Sequence, residues 1–122
     1  MGQGRGFSAM FVLLSVLVLM SEMAHAATYV VGDKNGWNFN TNNWPNGKKF
    51  KAGDVLVFNY GPGAHDVTVV DANGYKSCDP SKASKKYSSG HDEITLASGT
   101  TYFICSFAGH CQQGMKIAIN AA

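Results

Sequence analysis

Four side chains in the second half of this chain combine the donor atoms of a redox metal site. Cys105, His110 and Met115 follow one another at intervals of five residues, and His65 lies upstream between two strand-like segments. One thiolate, two imidazoles and one thioether form the ligand set of a type 1 (blue) copper site, in which the methionine is a weak axial ligand. Soft sulfur ligands favour Cu(I) and imidazoles hold Cu(II), so such a site suits one-electron transfer. We therefore predict that His65, Cys105, His110 and Met115 bind one copper ion.

Each of these residues has an ordinary structural role when it is taken alone. A methionine at the start of a strand is usually part of the core, and a cysteine in an apolar strand is usually a small buried hydrophobe. The combination is harder to attribute to chance, because Met115 is the one methionine of five that lies beyond the first 26 residues. His91 falls in a predicted surface turn, Ser89–Asp92, and we assign it no role.

The three cysteines give an odd count for a secreted chain, in which an oxidising compartment favours one disulfide and leaves one thiol. Parity alone permits three pairings, and a free buried cysteine or an intermolecular bridge is the plainer alternative. Cys105 is the best candidate for a metal thiolate, because it ends an apolar strand with His110 close behind. Cys78 and Cys111 would then pair.

Residues 1–26 have the pattern of a secretory signal. Arg5 precedes an apolar run from Phe7 to Met20, which is short for a membrane span, and Ala24-His25-Ala26 has the form of a cleavage site. An uncleaved anchor is the alternative. We predict a secreted protein with one domain at residues 27–122, without a membrane or lipid anchor.

The pattern beyond residue 26 is typical of an all-β domain. Turn signals such as Asn35-Gly36 and Gly61-Pro62-Gly63 separate short apolar or alternating runs, which favours a sandwich or barrel. The predicted strands are Thr28–Val31, Asp54–Tyr60, Asp66–Val70, Glu93–Ala97, Thr101–Ser106 and Lys116–Asn120. Short helices are predicted at Asn40–Trp44 and at Asp79–Ser84, where Asp79 would cap and Pro80 would begin the helix.

The formal net charge is +2 at neutral pH, and all basic residues beyond Arg5 are lysines. Lysine clusters at 48–51 and 82–86 fit acidic partners such as cell-wall polysaccharide or an acidic redox protein, although a solvated surface is the simpler interpretation. Nucleic-acid binding is not expected at this modest charge.

The segment beyond residue 26 closely resembles the phytocyanins, a family of plant cupredoxins. The resemblance rests on Tyr29–Gly32, Gly36-Trp37, Phe50–Asp54, Phe58–Tyr60, His65–Val67 and the Cys105–Met115 loop followed by Lys116-Ile117. It implies a cupredoxin-like Greek-key β-sandwich with one or two short helices. It also implies copper held by His65, Cys105, His110 and Met115, a disulfide between Cys78 and Cys111, and one-electron transfer in the extracellular space of plant tissue.

Two positions compare this chain with other members of that family. Met115 separates it from stellacyanin-like members, which have Gln there, and from early-nodulin-like members, which have lost copper ligands. Asp66 departs from the Asn that often follows the first histidine, so hydrogen bonding near the cysteine sulfur could differ. We expect a monomer whose unidentified redox partner docks near His110, beside the small residues Ala108 and Gly109.

Two other classes of function use the same kinds of residues. A secreted signalling or adhesion module could use the same scaffold without redox turnover. Catalysis is not expected, because a copper oxidase needs a further histidine cluster and a Cys105–His110 hydrolase pair lacks an orienting third group. Zinc is disfavoured because a thioether is not among its usual ligands.

Overall fold

The computed structural model describes residues 26–122 as two β-sheets that share one core. The strands are β1 Thr28–Val30, β2 Val55–Asn59, β3 Val67–Val70, β4 Lys85–Tyr87, β5 His91–Thr95, β6 Gly99–Ile104 and β7 Lys116–Ala121, with helix α1 at Ala72–Ser77 and short 3-10 turns at Asp33–Asn35 and Cys111–Gln113. The predicted signal of residues 1–26 lies outside this description, apart from its last residue. Within the described part, no helix has the length and apolar character that crossing a membrane requires.

The strand order confirms the predicted all-β sandwich. One sheet has the order β1-β2-β5, with β1 parallel to β2, and the other has the antiparallel order β4-β3-β6-β7. The chain changes sheets after β2, β4 and β5, as in a Greek key. Because β6 and β7 are neighbours, the loop between them can close on itself at one end of the sandwich.

Aromatic rings fill the space between the sheets. Phe58 of β2 packs on Phe103 of β6 with ring centroids 5.2 Å apart, and Trp37 packs on the other side of Phe58 at 5.1 Å. All three side chains are fully buried, and burial of each contributes about 1.5–3 kcal/mol or more. The core therefore joins both sheets rigidly below the loops that follow β2 and β6.

Both helix predictions from the sequence were wrong. The segment Asn40–Trp44 forms turns, and Asp79 caps a local turn in which its carboxylate accepts a hydrogen bond from the Ser81 backbone N–H at 2.9 Å. The α-helix begins earlier, at Ala72, where the Asp71 carboxylate accepts a hydrogen bond from the Gly74 N–H. One short α-helix agrees with the expected fold class, but its position does not agree with the predicted one.

The predicted strands correspond to β1, β2, β3, β5, β6 and β7, and β4 was missed. β5 begins two residues before its predicted start, because His91 pairs with Asn59 of β2. His91 therefore lies in a strand and not in the predicted surface turn.

Candidate metal centre

A rigid turn fixes His65 at the entrance to β3. The Ala64 N–H donates to the Gly61 carbonyl at 3.0 Å, and Pro62 forms a bridge with His65. On the C-terminal side of His65, the buried Trp37 indole N–H donates a hydrogen bond to the Asp66 carbonyl at 2.8 Å. The core thus anchors the backbone next to the histidine, so the position of His65 is set by Trp37 as well as by its own turn.

The other three predicted ligands lie on one closed loop between β6 and β7. The Cys105 N–H donates to the Met115 carbonyl at 3.1 Å, and the Met115 N–H donates to the His110 carbonyl at 3.2 Å. Gly114 has a φ of +82°, and a side chain there would meet the Asn42 carboxamide oxygen at 3.0 Å. Glycine is therefore required at this turn.

The structure brings three donor atoms together. The Nδ1 atoms of His65 and His110 are 3.0 Å apart, and the Cys105 sulfur lies 3.5 Å from the Nδ1 of His110. All three donors lie within 4.8 Å of one another. Met115 is fully buried in the same hydrophobic cluster as Cys105. Two imidazole nitrogens and one sulfur are the donor types of the trigonal set in a blue copper site.

Burial has opposite consequences for the two titrating ligands, because it favours the ligating form of His65 and the non-ligating, protonated form of Cys105. Burial lowers the pKa of His65, and the neighbouring His110 adds to this effect while Asp66 opposes it, so the imidazole favours its neutral, ligating form. Burial raises the pKa of the Cys105 thiol, while hydrogen bonds from the backbone N–H groups of Asp66 and Phe107 act in the opposite direction. A soft cation that stabilises the thiolate fits this donor set.

The predicted disulfide is present, and it leaves the third thiol available. Cys78 is bonded to Cys111, and Cys105 is a buried free cysteine. Because Cys111 directly follows His110, the disulfide ties the histidine end of the loop to the end of α1. The cysteine of the candidate site is therefore not part of a covalent bridge.

The buried carboxylate of Asp66 connects the segment that carries His65 to the segment that carries Cys105. One carboxylate oxygen accepts the Ser106 backbone N–H at 2.7 Å and the Thr68 hydroxyl at 3.1 Å, and the other accepts the Ser106 hydroxyl. The ammonium nitrogen of Lys86 lies 3.8 Å from this second carboxylate oxygen and forms an ion pair with it. The residue after His65 thus holds the residue after Cys105, which is an interaction that sequence spacing alone did not indicate.

Aromatic rings surround the two histidines at the surface. Phe39 packs edge-on against both, with centroid distances of 5.6 Å to His65 and 5.0 Å to His110, and Phe107 lies 5.5 Å from His110. Phe39 and Phe107 are 36% and 37% exposed. Phe39 was not predicted as part of the site, because no local signal in the sequence links it to the histidines. His91 lies outside the cluster of the two histidines and Cys105. Its Nδ1 is hydrogen-bonded to the side-chain oxygen of Asn59, and its Nε2 lies 3.4 Å from a carboxylate oxygen of Glu93.

Comparison with known proteins gives consistent matches. Residues 33–115, which include all four predicted ligands, match the family model described as a plastocyanin-like domain. The chain is 52% identical to chemocyanin of Lilium longiflorum over the full length of both chains. It is similar in structure to the cucumber basic protein, a blue copper protein, with a TM-score of 0.75 and 56% identity over 78% of this chain and 99% of that one. It is also similar to spinach plantacyanin, with a TM-score of 0.65 and 58% identity over 71% and 94% of the two chains.

Proposed function

Because this chain belongs to the plastocyanin-like family, and within it to the phytocyanins, its cofactor is copper, and we propose that it is a secreted carrier of single electrons. Phytocyanins are electron-transfer proteins and not enzymes. The observation on which the proposal rests is the convergence of the His65 and His110 nitrogens on the Cys105 sulfur. In this proposal His65, Cys105, His110 and Met115 are the ligands. Bound copper would supply the Cu(I)/Cu(II) couple.

The surrounding chain holds the donors in one arrangement. Cys105 and Met115 are joined through the backbone, and Asp66 fixes Ser106 beside the cysteine. Little rearrangement is then needed when the oxidation state changes, which favours fast electron transfer. The His110 ring lies close to the surface among exposed apolar groups, so we place the docking site of a redox partner there. Such contacts are weak and small.

The proposed location is extracellular, in the apoplast or cell wall. Its support is the secretory pattern of residues 1–26 and the Cys78–Cys111 disulfide, which suits an oxidising compartment. We propose a monomeric protein of residues 27–122. Acidic cell-wall components remain candidate partners for the lysine clusters.

Cyclic voltammetry of the copper-loaded protein tests the electron-carrier proposal. We expect one reversible one-electron wave that persists over repeated cycles, because the donors hold copper in both oxidation states. A wave that is irreversible, with copper released on reduction, would contradict the proposal.

Replacement of the axial residue, Met115→Gln, is expected to lower the reduction potential of the copper-loaded protein. An amide oxygen favours Cu(II) more than a thioether does, and a ten- to hundredfold change in relative affinity corresponds to about 60–120 mV. Voltammetry measures the shift. Because Met115 is fully buried, thermal unfolding of the same variant checks that its fold is intact. An unchanged or higher potential in a folded variant would contradict an axial role.

Substitution of the buried carboxylate, Asp66→Asn, is expected to raise the reduction potential by about 50–100 mV, because loss of a nearby negative charge disfavours the more positive Cu(II) state. The asparagine oxygen can still accept the Ser106 N–H. The matched control is Asp54→Asn, a buried carboxylate at the opposite end of β2 that accepts hydrogen bonds from the backbone of Ala27 and Lys51. Equal shifts in both variants would exclude a specific effect of Asp66.

A further inference from the structure

A band of side-chain amides covers the surface beside the two histidines. We call it the amide groove, and its members are Asn35, Asn40, Asn42, Asn43 and Gln112. They line two adjoining depressions of about 370 and 590 Å³, which share Phe39 and Asn40. Both volumes fall within the range of about 300–1,000 Å³ that is usual for small-ligand clefts. The groove is therefore large enough for several rings of a linear ligand.

The amides of this groove are free to bind a ligand. All five residues are exposed, and none of the five side chains makes a hydrogen bond to another residue within 26–122. By contrast, the neighbouring Asn38 and Gln113 side chains are engaged with the Phe39 N–H and the Gly109 carbonyl. Each free carboxamide offers one acceptor oxygen and two N–H donors. The groove thus presents closely spaced donors and acceptors without a fixed charge.

The lining also selects against charged ligands. Among residues 26–122, those that line the two depressions include no Asp, Glu, Lys or Arg. Phe39 stands where the depressions meet, with its ring partly exposed. A pyranose ring has hydroxyl groups that pair with amides and an apolar C–H face that packs on an aromatic ring. A neutral sugar chain matches this surface, whereas an acidic one would lack a cationic partner.

The backbone holds the groove in place before any ligand arrives. The Asn40 N–H donates to the Gln113 carbonyl at 3.1 Å, and the N–H groups of Thr41 and Asn42 donate to the Gly114 carbonyl at 3.0 and 3.2 Å. Asn40 adopts a left-handed conformation with a φ of +61°. Because these bonds fix the segment 40–42 to the loop of the metal centre, little backbone entropy of this segment is lost on binding, and the remaining cost is the ordering of the amide side chains.

We propose that the amide groove binds a neutral oligosaccharide next to the metal centre. The ligand class is a linear chain of uncharged, hydroxylated pyranose rings, which occupies both depressions across Phe39. Binding does not require copper, since none of the five amides belongs to the predicted ligand set.

The test is a titration of the copper-free and Cu(I)-loaded protein with cellohexaose, followed by ¹H–¹⁵N NMR. The side-chain NH₂ signals of Asn35, Asn43 and Gln112 are expected to shift in both forms. The double variant Asn43→Ala/Gln112→Ala, with one change in each depression, is expected to weaken binding about tenfold through lost hydrogen bonds. Asn120→Ala, an exposed amide on β7, is the matched control and should leave affinity unchanged.

Three results would overturn the proposal. The first is the absence of shifts at millimolar cellohexaose. The second is a set of shifts that lies outside the groove, or that the double variant does not reduce. The third is tighter binding of a hexagalacturonate of equal length at the groove itself, followed through the side-chain signals of Asn35, Asn43 and Gln112, which would show that the groove prefers an acidic chain. Because the copper-free protein is included, these outcomes are independent of the proposed electron transfer.

Discussion

Replacement of Cys105 with serine is expected to abolish the intense visible absorption of the copper-loaded protein and to weaken copper binding at least a hundredfold. The colour of a type 1 site arises from charge transfer between a cysteine sulfur and Cu(II), and serine has no equivalent donor. Loss of an outer residue around a metal already costs about 10–100-fold in affinity, so loss of a ligand costs more. A copper titration followed by absorption measures both effects.

The matched control for this substitution is His91→Ala. His91 is the exposed histidine of β5, and it lies outside the cluster formed by His65, Cys105 and His110. Its removal should leave both the colour and the affinity intact. Circular dichroism of Cys105→Ser checks the fold, because Cys105 is buried in the core. A folded Cys105→Ser protein that remained intensely blue would exclude Cys105 as the copper thiolate.

Removal of the disulfide by Cys78→Ala/Cys111→Ala is expected to lower the free energy of unfolding of the copper-free protein by about 3–4 kcal/mol. The bridged residues are 33 positions apart, and the bond restricts the unfolded chain over that loop. Urea denaturation measures the loss. The m-value should rise in the same experiment, because an unfolded chain without the bridge exposes more surface.

The disulfide is also expected to affect copper affinity, since Cys111 is adjacent to the predicted ligand His110. The variant is expected to bind copper more weakly, because the 3-10 turn at Cys111–Gln113 loses its covalent link to α1. Unchanged stability together with unchanged copper affinity would show that backbone hydrogen bonds alone fix the loop.

The sequence was most informative where local spacing and structure coincide. The intervals between Cys105, His110 and Met115 indicate one loop, because four intervening residues allow the chain to turn back each time. The strand predicted at Asp54–Tyr60 has apolar residues on both faces, as is typical of a strand inside a sandwich, and β2 buries Leu56, Val57 and Phe58 there. In both cases the determining interactions lie within a short segment.

Long-range interactions account for what the sequence did not predict. Asn73-Gly74 has a local turn preference, yet it belongs to α1, which Asp71 caps and Cys78 ties to the loop of the metal centre. Strand β4 is a three-residue edge strand with two exposed lysines and no apolar alternation. Phe39 reaches the histidines because the segment after it is bonded to Gln113 and Gly114, more than 70 positions away.

Titration of the purified metal-free protein with Cu(II), followed by visible absorption, tests the central claim most directly. If His65, Cys105, His110 and Met115 form the centre, one equivalent of copper produces an intense band that saturates, and stoichiometric reductant removes it reversibly. Copper that binds without this band, or that leaves the Cys105 thiol reactive toward a thiol reagent, would contradict the assignment.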